Sequence, residues 1–344
     1  MPPLRHLALA LCLGALVLTG CTTGSTDAED SSSGTATTSK ADADAFPVTI
    51  EHAFGSTTVE KAPTRVATLG WSDQDHAVSL GVVPVGATKI TYGGNKAGST
   101  DFFDAAVEKL GGTAPVRYDD SDGIPFAAVA KASPDLILAT NSGLTKADYD
   151  KLTKIAPVVA YPGKPFLTPW RTSLEMVGKA LGRSAEAAKV LKQTDREIDA
   201  AKAEHSDLEG KTFMLSYLST TDLSTVGIYG SDDTRVAFLR DFGLKDAPSV
   251  LSAVKPGEFY GTVSAEKAGD LASDVIMAFT DEGGTLATFE KHPLIGKIPA
   301  FQDGHVYTEA DTVVSEAITN PSPLSIPVVI SQVLPKLDAA LQGS

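Results

Sequence analysis

The chain has 344 residues, 42% hydrophobic and 21% charged, with 43 acidic side chains against 29 Lys and Arg and a formal net charge of −14. Its length suits about two domains with real cores, and an acidic surface without a Lys/Arg tract repels a phosphate backbone, which excludes nucleic acid as a partner. Gly and Pro usage is near average and no heptad pattern is sustained, so collagen-like and coiled-coil folds are excluded as well.

The N-terminus carries one cation, Arg5, then an apolar run over residues 7–18 and the sequence Leu18-Thr19-Gly20-Cys21. The run is too short for a stable membrane span and ends in small residues suited to a peptidase groove, so residues 1–20 are expected to be a signal peptide. The motif resembles the bacterial lipobox, which implies that Cys21 is lipidated and becomes the first mature residue. Cys12, the only other cysteine, then leaves with the signal, and the mature domain has neither thiol nor disulfide. Residues 21–45 are mostly Ser, Thr, Ala, Asp and Gly, which reads as a flexible tether. Arg5, Lys40 and five acids account for −3 of the net charge before residue 46, leaving −11 for the folded part.

From residue 46 onward, short β-rich runs alternate with helical patterns, which predicts an α/β protein with largely parallel sheets. Strands at 48–52 and 57–60 flank Gly55-Ser56 as a hairpin. A strand at 65–69, a helix at 73–80, a strand at 82–87 and a helix at 102–110 follow. Next come a helix at 126–132, a strand at 135–139, a helix from Thr145 and a strand at 158–161. Trp170, Leu174, Val177 and Leu181 recur at helical spacing up to Gly182, and a second helix starts at Ser184 and runs to about 205, a rod of about 30 Å. Past this connector, Ala-Ser-Asp274-Val-Ile-Met-Ala echoes Ala-Ser-Pro-Asp135-Leu-Ile-Leu-Ala, each before a loop, a helix and a short strand, the second of these at 305–308. The expected architecture is two Rossmann-like lobes, 46–183 and 207–344, on the backbone helix 184–206, with a ligand cleft between them.

Signatures for nucleotide, dinucleotide, zinc-hydrolase and acyl-transfer chemistry are all missing, and the histidines stand far apart in sequence. No catalytic residue, cofactor or metal site is therefore expected, and the chain reads as a non-enzyme. The loops are instead aromatic and cationic. Trp71 closes the first lobe strand, Tyr92 follows the next, Arg117 precedes an Asp run, Trp170-Arg171 opens the connector, and Tyr217, Tyr229, Arg235 and Tyr260 punctuate the second half. Ligands of open α/β sheets bind beyond the carboxyl ends of strands, where rings supply area and Arg supplies paired hydrogen bonds. The predicted ligand-binding set is Trp71, Tyr92, Arg117, Trp170, Tyr217, Arg235 and Tyr260, although the spacing of Trp170 also suits a packing face. Arg117, Arg171 and Arg235 are the places where the acidic body could offer positive charge to an anionic cargo.

Arg65-Val-Ala-Thr-Leu-Gly-Trp71 and Leu80-Gly-Val-Val-Pro-Val-Gly86, with Ser133-Pro-Asp-Leu-Ile-Leu138 and Ile155-Ala-Pro-Val-Val159, resemble the first lobe of the iron–siderophore class of bacterial ABC-transporter substrate-binding proteins. Val263-Ser-Ala-Glu266, Asp274-Val-Ile, Ile298-Pro-Ala-Phe301 and Gly304-His-Val-Tyr307 resemble its second lobe. The resemblance implies a monomer that captures a ferric siderophore and delivers it to an ABC-transporter permease, from the outer face of the cytoplasmic membrane. It also points to Arg117 as a hydroxamate ligand and to Glu266 as a permease-docking acid. The matching first-lobe docking position is Ala127, so either Asp122 substitutes or that lobe docks differently. Two other readings stay open: a haem, corrinoid or other iron-chelate carrier, and an exported envelope protein outside transport.

Overall fold

The structure is a computed structural model that describes residues 41–281 and 284–343. The signal peptide, Cys12, Cys21 and most of the expected tether lie outside the described residues. Residues 41–45 do not behave as tether. The backbone N–H of Asp42 donates to Gly182 O, and the Asp42 carboxylate accepts from Ala185 N, capping a helix start. The packed chain therefore starts a few residues earlier than expected.

The opening hairpin, β1 (Val48–His52) and β2 (Gly55–Val59), is antiparallel, with Ile50 and Val59 buried. The first lobe then runs through β3 (Val66–Thr68), α1 (Asp73–Ser79), β4 (Gly86–Thr88), α2 (Asp101–Lys109), β5 (Val116–Tyr118), α3 (Phe126–Lys131), β6 (Leu136–Ala139), α4 (Lys146–Leu152) and β7 (Val158–Ala160). Its five strands form one parallel sheet, ordered β5-β4-β3-β6-β7. β4 starts later than the apolar run at 82–87 suggests. The N–H of Val82 is spent closing the end of α1 on Ala77 O, and Pro84 has none to give, so pairing begins only when Val85 N reaches Val66 O. β5 carries Arg117 and is too short for its alternation to be read in advance.

Two helices follow, α5 (Trp170–Ala180) and α6 (Ser184–Glu204), and the second has the length expected of the connector. The second lobe comprises β8 (Thr212–Leu218), β9 (Thr225–Tyr229), α7 (Thr234–Arg240), β10 (Lys245–Asp246), α8 (Pro248–Ala253), β11 (Tyr260–Ser264) and β12 (Val275–Thr280). It ends with α9 (Leu286–Glu290), α10 (Pro299–Asp303), β13 (Val306–Glu309), α11 (Thr312–Thr319), α12 (Ile326–Gln332) and α13 (Leu334–Leu341). Its six-stranded sheet, ordered β11-β9-β8-β12-β13 with β10 beside the start of β8, is mixed rather than largely parallel. The link from β8 to β9 is too short for a crossover helix, which forces an antiparallel return, and β11 turns back again on β9.

The sequence echo has a shared structural basis. In each lobe the echoed Asp opens the strand beside the lobe's first parallel strand, β6 on β3 and β12 on β8. Asp135 accepts from Thr64 N at 2.8 Å, Thr64 Oγ1 at 2.7 Å and Arg65 N at 2.9 Å, while Asp274 accepts from Thr212 N and Oγ1, both at 2.7 Å. Each carboxylate thus fixes the register at the mouth of its sheet. Replacing either by Ala is expected to cost about 1–2 kcal/mol in urea unfolding, whereas Asn, which keeps an acceptor, recovers part of the loss.

One hydrophobic cluster runs through both lobes and the connector, from Val66 and Leu136 through Trp170, Leu174 and Ile198 to Phe213, Phe238 and Leu337. Arg171 pins the same junction: Nη1 donates to Asp241 at the end of α7 at 2.7 Å, and Nη2 to Asp195 of α6 at 2.8 Å. Arg171 is therefore committed to the connector and does not supply positive charge to a cleft.

Candidate functional site

The loop after β3 is built to present Trp71. Gly70 leaves no room for a Cβ, which would lie 2.2 Å from the carboxylate of the buried Asp73. That carboxylate accepts from the backbone of Thr140, 2.8 Å away, and from the Thr140 hydroxyl, tying this loop to the one after β6. Burial nevertheless pushes the Asp73 pKa up to about 6. Trp71 N donates to Asn141 O at 3.0 Å, and Thr168 Oγ1 closes the network on Thr140 O at 2.6 Å. Thus anchored at its backbone, Trp71 is 40% exposed, its ring beside that of Phe166 with centroids 4.4 Å apart.

Tyr92 projects from the loop after β4 and is half exposed. The loop lies against the second lobe, so closely that a Cβ on Gly93, whose φ is +69°, would come 2.2 Å from Thr312 O and 2.6 Å from the Glu316 Cβ. Two other contacts join the lobes. Ser322 Oγ donates to Asp75 Oδ2 of α1 at 2.8 Å, and Lys164 Nζ donates to Gly257 O at 3.2 Å.

Two adjoining cavities lie between these contacts. One of about 280 Å³ is walled by Trp71, Gln74, Tyr92, Glu316 and Asn320, among others; one of about 480 Å³ by Tyr92, Tyr217, Tyr229, Arg235 and Phe279. Tyr92 and Thr319 belong to both walls. Depressions of about 670 and 830 Å³ on other faces have no aromatic lining. The aromatic cleft is therefore the site that can take a bulky, partly apolar ligand.

Of the predicted residues, Trp71, Tyr92, Tyr217 and Arg235 come together in the cleft walls. Tyr260 stands one ring back, edge-on to Tyr229 at 5.3 Å. Burial raises the pKa of Tyr217 and Tyr260, and that of Tyr229 to about 12, so these phenols stay protonated as hydrogen-bond donors. Trp170 is not brought to the cleft. It is 4% exposed in the core and its indole N–H donates to Asp241 at 3.3 Å, because its i, i+4, i+7 partners all face inward. Arg117 stands behind the wall rather than in it. Its guanidinium donates to Gln74 Oε1, Ser99 Oγ and Thr88 O and lies over the Phe103 ring; burial lowers its pKa, against Asp104 and Asp75. Arg235 donates twice to Asp233, at 2.6 and 2.8 Å, and stacks on Tyr229, so its charge is already balanced. Glu266 and Asp122 are exposed, in the short helical turn after β11 and just before α3 respectively.

Gln74, Glu316, Asn320 and Phe279 belong to the walls without having been predicted. Glu316 had a readable signal, a carboxylate inside the apolar helix Val313-Val-Ser-Glu316-Ala-Ile; Phe279 had none, being one more apolar residue in a buried strand.

The profile of the periplasmic binding protein family matches residues 66–311. The chain belongs to the periplasmic binding protein family. YfiY of Bacillus subtilis, a probable siderophore-binding lipoprotein, is 24% identical over 294 residues, covering 83% of each chain. The iron(3+)-hydroxamate-binding protein FhuD of the same species is 29% identical over 287 residues, covering 80% of this chain and 82% of FhuD. Streptococcus pneumoniae PiaA in complex with ferrichrome superposes with a TM-score of 0.81 at 37% identity, over 86% of this chain and 99% of PiaA. Membership and likeness agree with the α/β lobes described above.

Proposed function

We propose that this protein captures a ferric siderophore in the cleft between its lobes and hands it to an ABC-transporter permease. The observation that carries the reading is the convergence of Trp71 and Tyr92 from one lobe with Tyr217, Tyr229 and Phe279 from the other on two adjoining cavities. Rings on both sides grip a large chelate by area, while protonated phenols donate to its oxygens. The names of YfiY, FhuD and PiaA support the same cargo. Because Arg235 is neutralised by Asp233 and Arg117 is engaged behind the wall, the cleft favours a ferric hydroxamate of low net charge over a multiply anionic catecholate or citrate complex.

Cys21 would tether the body to the outer face of the membrane, and exposed Glu266 and Asp122 would meet cationic pockets of the permease. The protein would act by binding alone, without chemistry on its cargo.

Calorimetric titration with a ferric trihydroxamate, a ferric tricatecholate, haem and a corrinoid tests the proposal. The trihydroxamate should bind tightest, and Trp71→Ala or Tyr217→Ala should weaken it roughly thirtyfold, the cost of losing a central aromatic anchor. Binding of haem or the corrinoid with no binding of any ferric chelate would overturn the reading.

A further inference from the structure

One wall of the smaller cavity gathers acceptors without donors. Glu316, 5% exposed, stands in its wall; its Oε1 accepts from Asn320 Nδ2 at 2.6 Å, and Oε2 has no partner among the described residues. Asn320 is 8% exposed and its Oδ1 is enclosed without a partner, as is Oγ1 of Thr88 in the same wall. Asp75 reinforces the pattern, with Oδ2 held by Ser322 and Oδ1 unpartnered. Gln74 does not relieve it, since its own oxygen already accepts from Arg117.

Charge points the same way. Asp120 is in the wall with Glu316, and Lys89, the only cation among the described lining residues, is about half exposed and faces Asp119 at 3.5 Å. Unpartnered acceptors beside a buried carboxyl are costly unless something donates to them. A primary ammonium has three donors and a compact charge, and Trp71 and Tyr92 in the same wall can face its alkyl arm or the cation itself.

We propose that this wall is a subsite for a cation, an alkylammonium arm carried by the ferric chelate, held by the open oxygen of Glu316. The inference rests on the siderophore reading and narrows it to amine-bearing chelates. The groups facing Glu316 set its pH behaviour. Asp75 on α1 repels it, and beside Asp75 the buried His76 stays neutral, with its pKa lowered to about 3. Arg117 on β5 attracts Asp75, while Asp104 on α2 acts on Arg117; Lys89 and Asp120 complete the wall. Burial, with Asp75 adding to it, pushes the Glu316 carboxyl up to about 8. Near neutrality the ammonium therefore displaces a proton, and affinity should rise with pH and level off above about 8.

The probes are a linear ferric trihydroxamate ending in a primary amine and the same complex N-acetylated at that amine, each titrated into the wild type and Glu316→Gln. The wild type should bind the amine form roughly tenfold to a hundredfold tighter. Its advantage should grow from pH 6 to 8 with proton release seen in buffers of different ionisation heat, while the acetylated form stays pH-independent. Glu316→Gln should bring the two complexes to equal affinity and remove the pH dependence of the amine form, with a cooperative urea transition showing that the variant is folded. Equal wild-type affinities, or a Gln variant that weakens both complexes alike, would overturn the subsite while leaving siderophore capture intact. Failure of both complexes to bind the wild type, while another ferric chelate binds, would overturn the subsite alone; failure of every ferric chelate would overturn siderophore capture, and the subsite with it.

Discussion

Trp170→Ala is expected to lower the unfolding free energy by about 3–5 kcal/mol, the range for removing a fully packed Trp, while the folded fraction keeps its affinity for the ferric chelate. Trp170 sits in the cluster shared by both lobes, with Leu174, Val177 and Leu181 beneath it along α5. The Arg171 guanidinium covers its ring at 4.4 Å, and its N–H reaches the same Asp241 oxygen that Arg171 holds. Truncation opens a cavity at the junction of α5, α6 and α7. Trp170→Phe keeps most of the volume and leaves Asp241 bonded to Arg171, so its cost should stay below about 2 kcal/mol. Urea unfolding followed by calorimetry on the folded variant checks both parts. A stable Trp170→Ala variant that no longer binds would place this residue in the ligand's path instead.

Glu316→Gln should become progressively more stable than the wild type as pH rises. The folded chain raises this carboxyl from an ordinary value of 4.5 to about 8, mainly by burial and also by the neighbouring Asp75. Between those values the folded state holds a proton that the unfolded state has released, so wild-type stability falls with rising pH across this window and is flat above it. Gln carries no such proton. The stability gap should therefore widen from about pH 5 to pH 8 by several kcal/mol, at most about 1.4 kcal/mol per pH unit. Asp75, raised to about 7 by burial, titrates while Glu316 is still protonated, so its contribution cancels in the comparison, as does that of neutral His76. Melting temperatures of the two proteins between pH 5 and 9 provide the measurement. Parallel curves would mean that Glu316 is already ionised in the folded protein.

Local sequence was a good guide wherever a short-range signal decided the outcome. Thr145 caps α4 and makes a reciprocal box with Asp148, and the apolar face of Trp170, Leu174 and Val177 is buried as its period requires. The echoed Asp residues were visible as a repeat, and the fold explains them as two carboxylates doing one job. Trp71, Tyr92 and Tyr217 were legible because strand ends in α/β sheets are where ligands sit. The arginines were less so. An Arg is the same letter whether its guanidinium faces a ligand, as positive charge for an anion requires, or is already spent on Asp233, Asp241 or Gln74.

By itself the sequence determined the alternation of strand and helix, the two lobes and the long connecting helix, since each follows from periodicity or composition within short stretches, whereas of the aromatics expected in loops only Trp71 and Tyr92 lie there, Tyr217, Tyr229 and Tyr260 being in strands. The net charge of −11 beyond residue 45 was equally fixed, but not its arrangement. Only the tertiary structure decided that the second sheet is mixed, that Trp170 belongs to the core, and that Glu316, Asn320 and Asp75 meet beside Trp71. The last of these depends on which side chains 200 or more residues apart share the same few ångströms of low-dielectric space. There, burial rather than residue type sets protonation, and a missing partner rather than a present one marks where a ligand's charge is wanted.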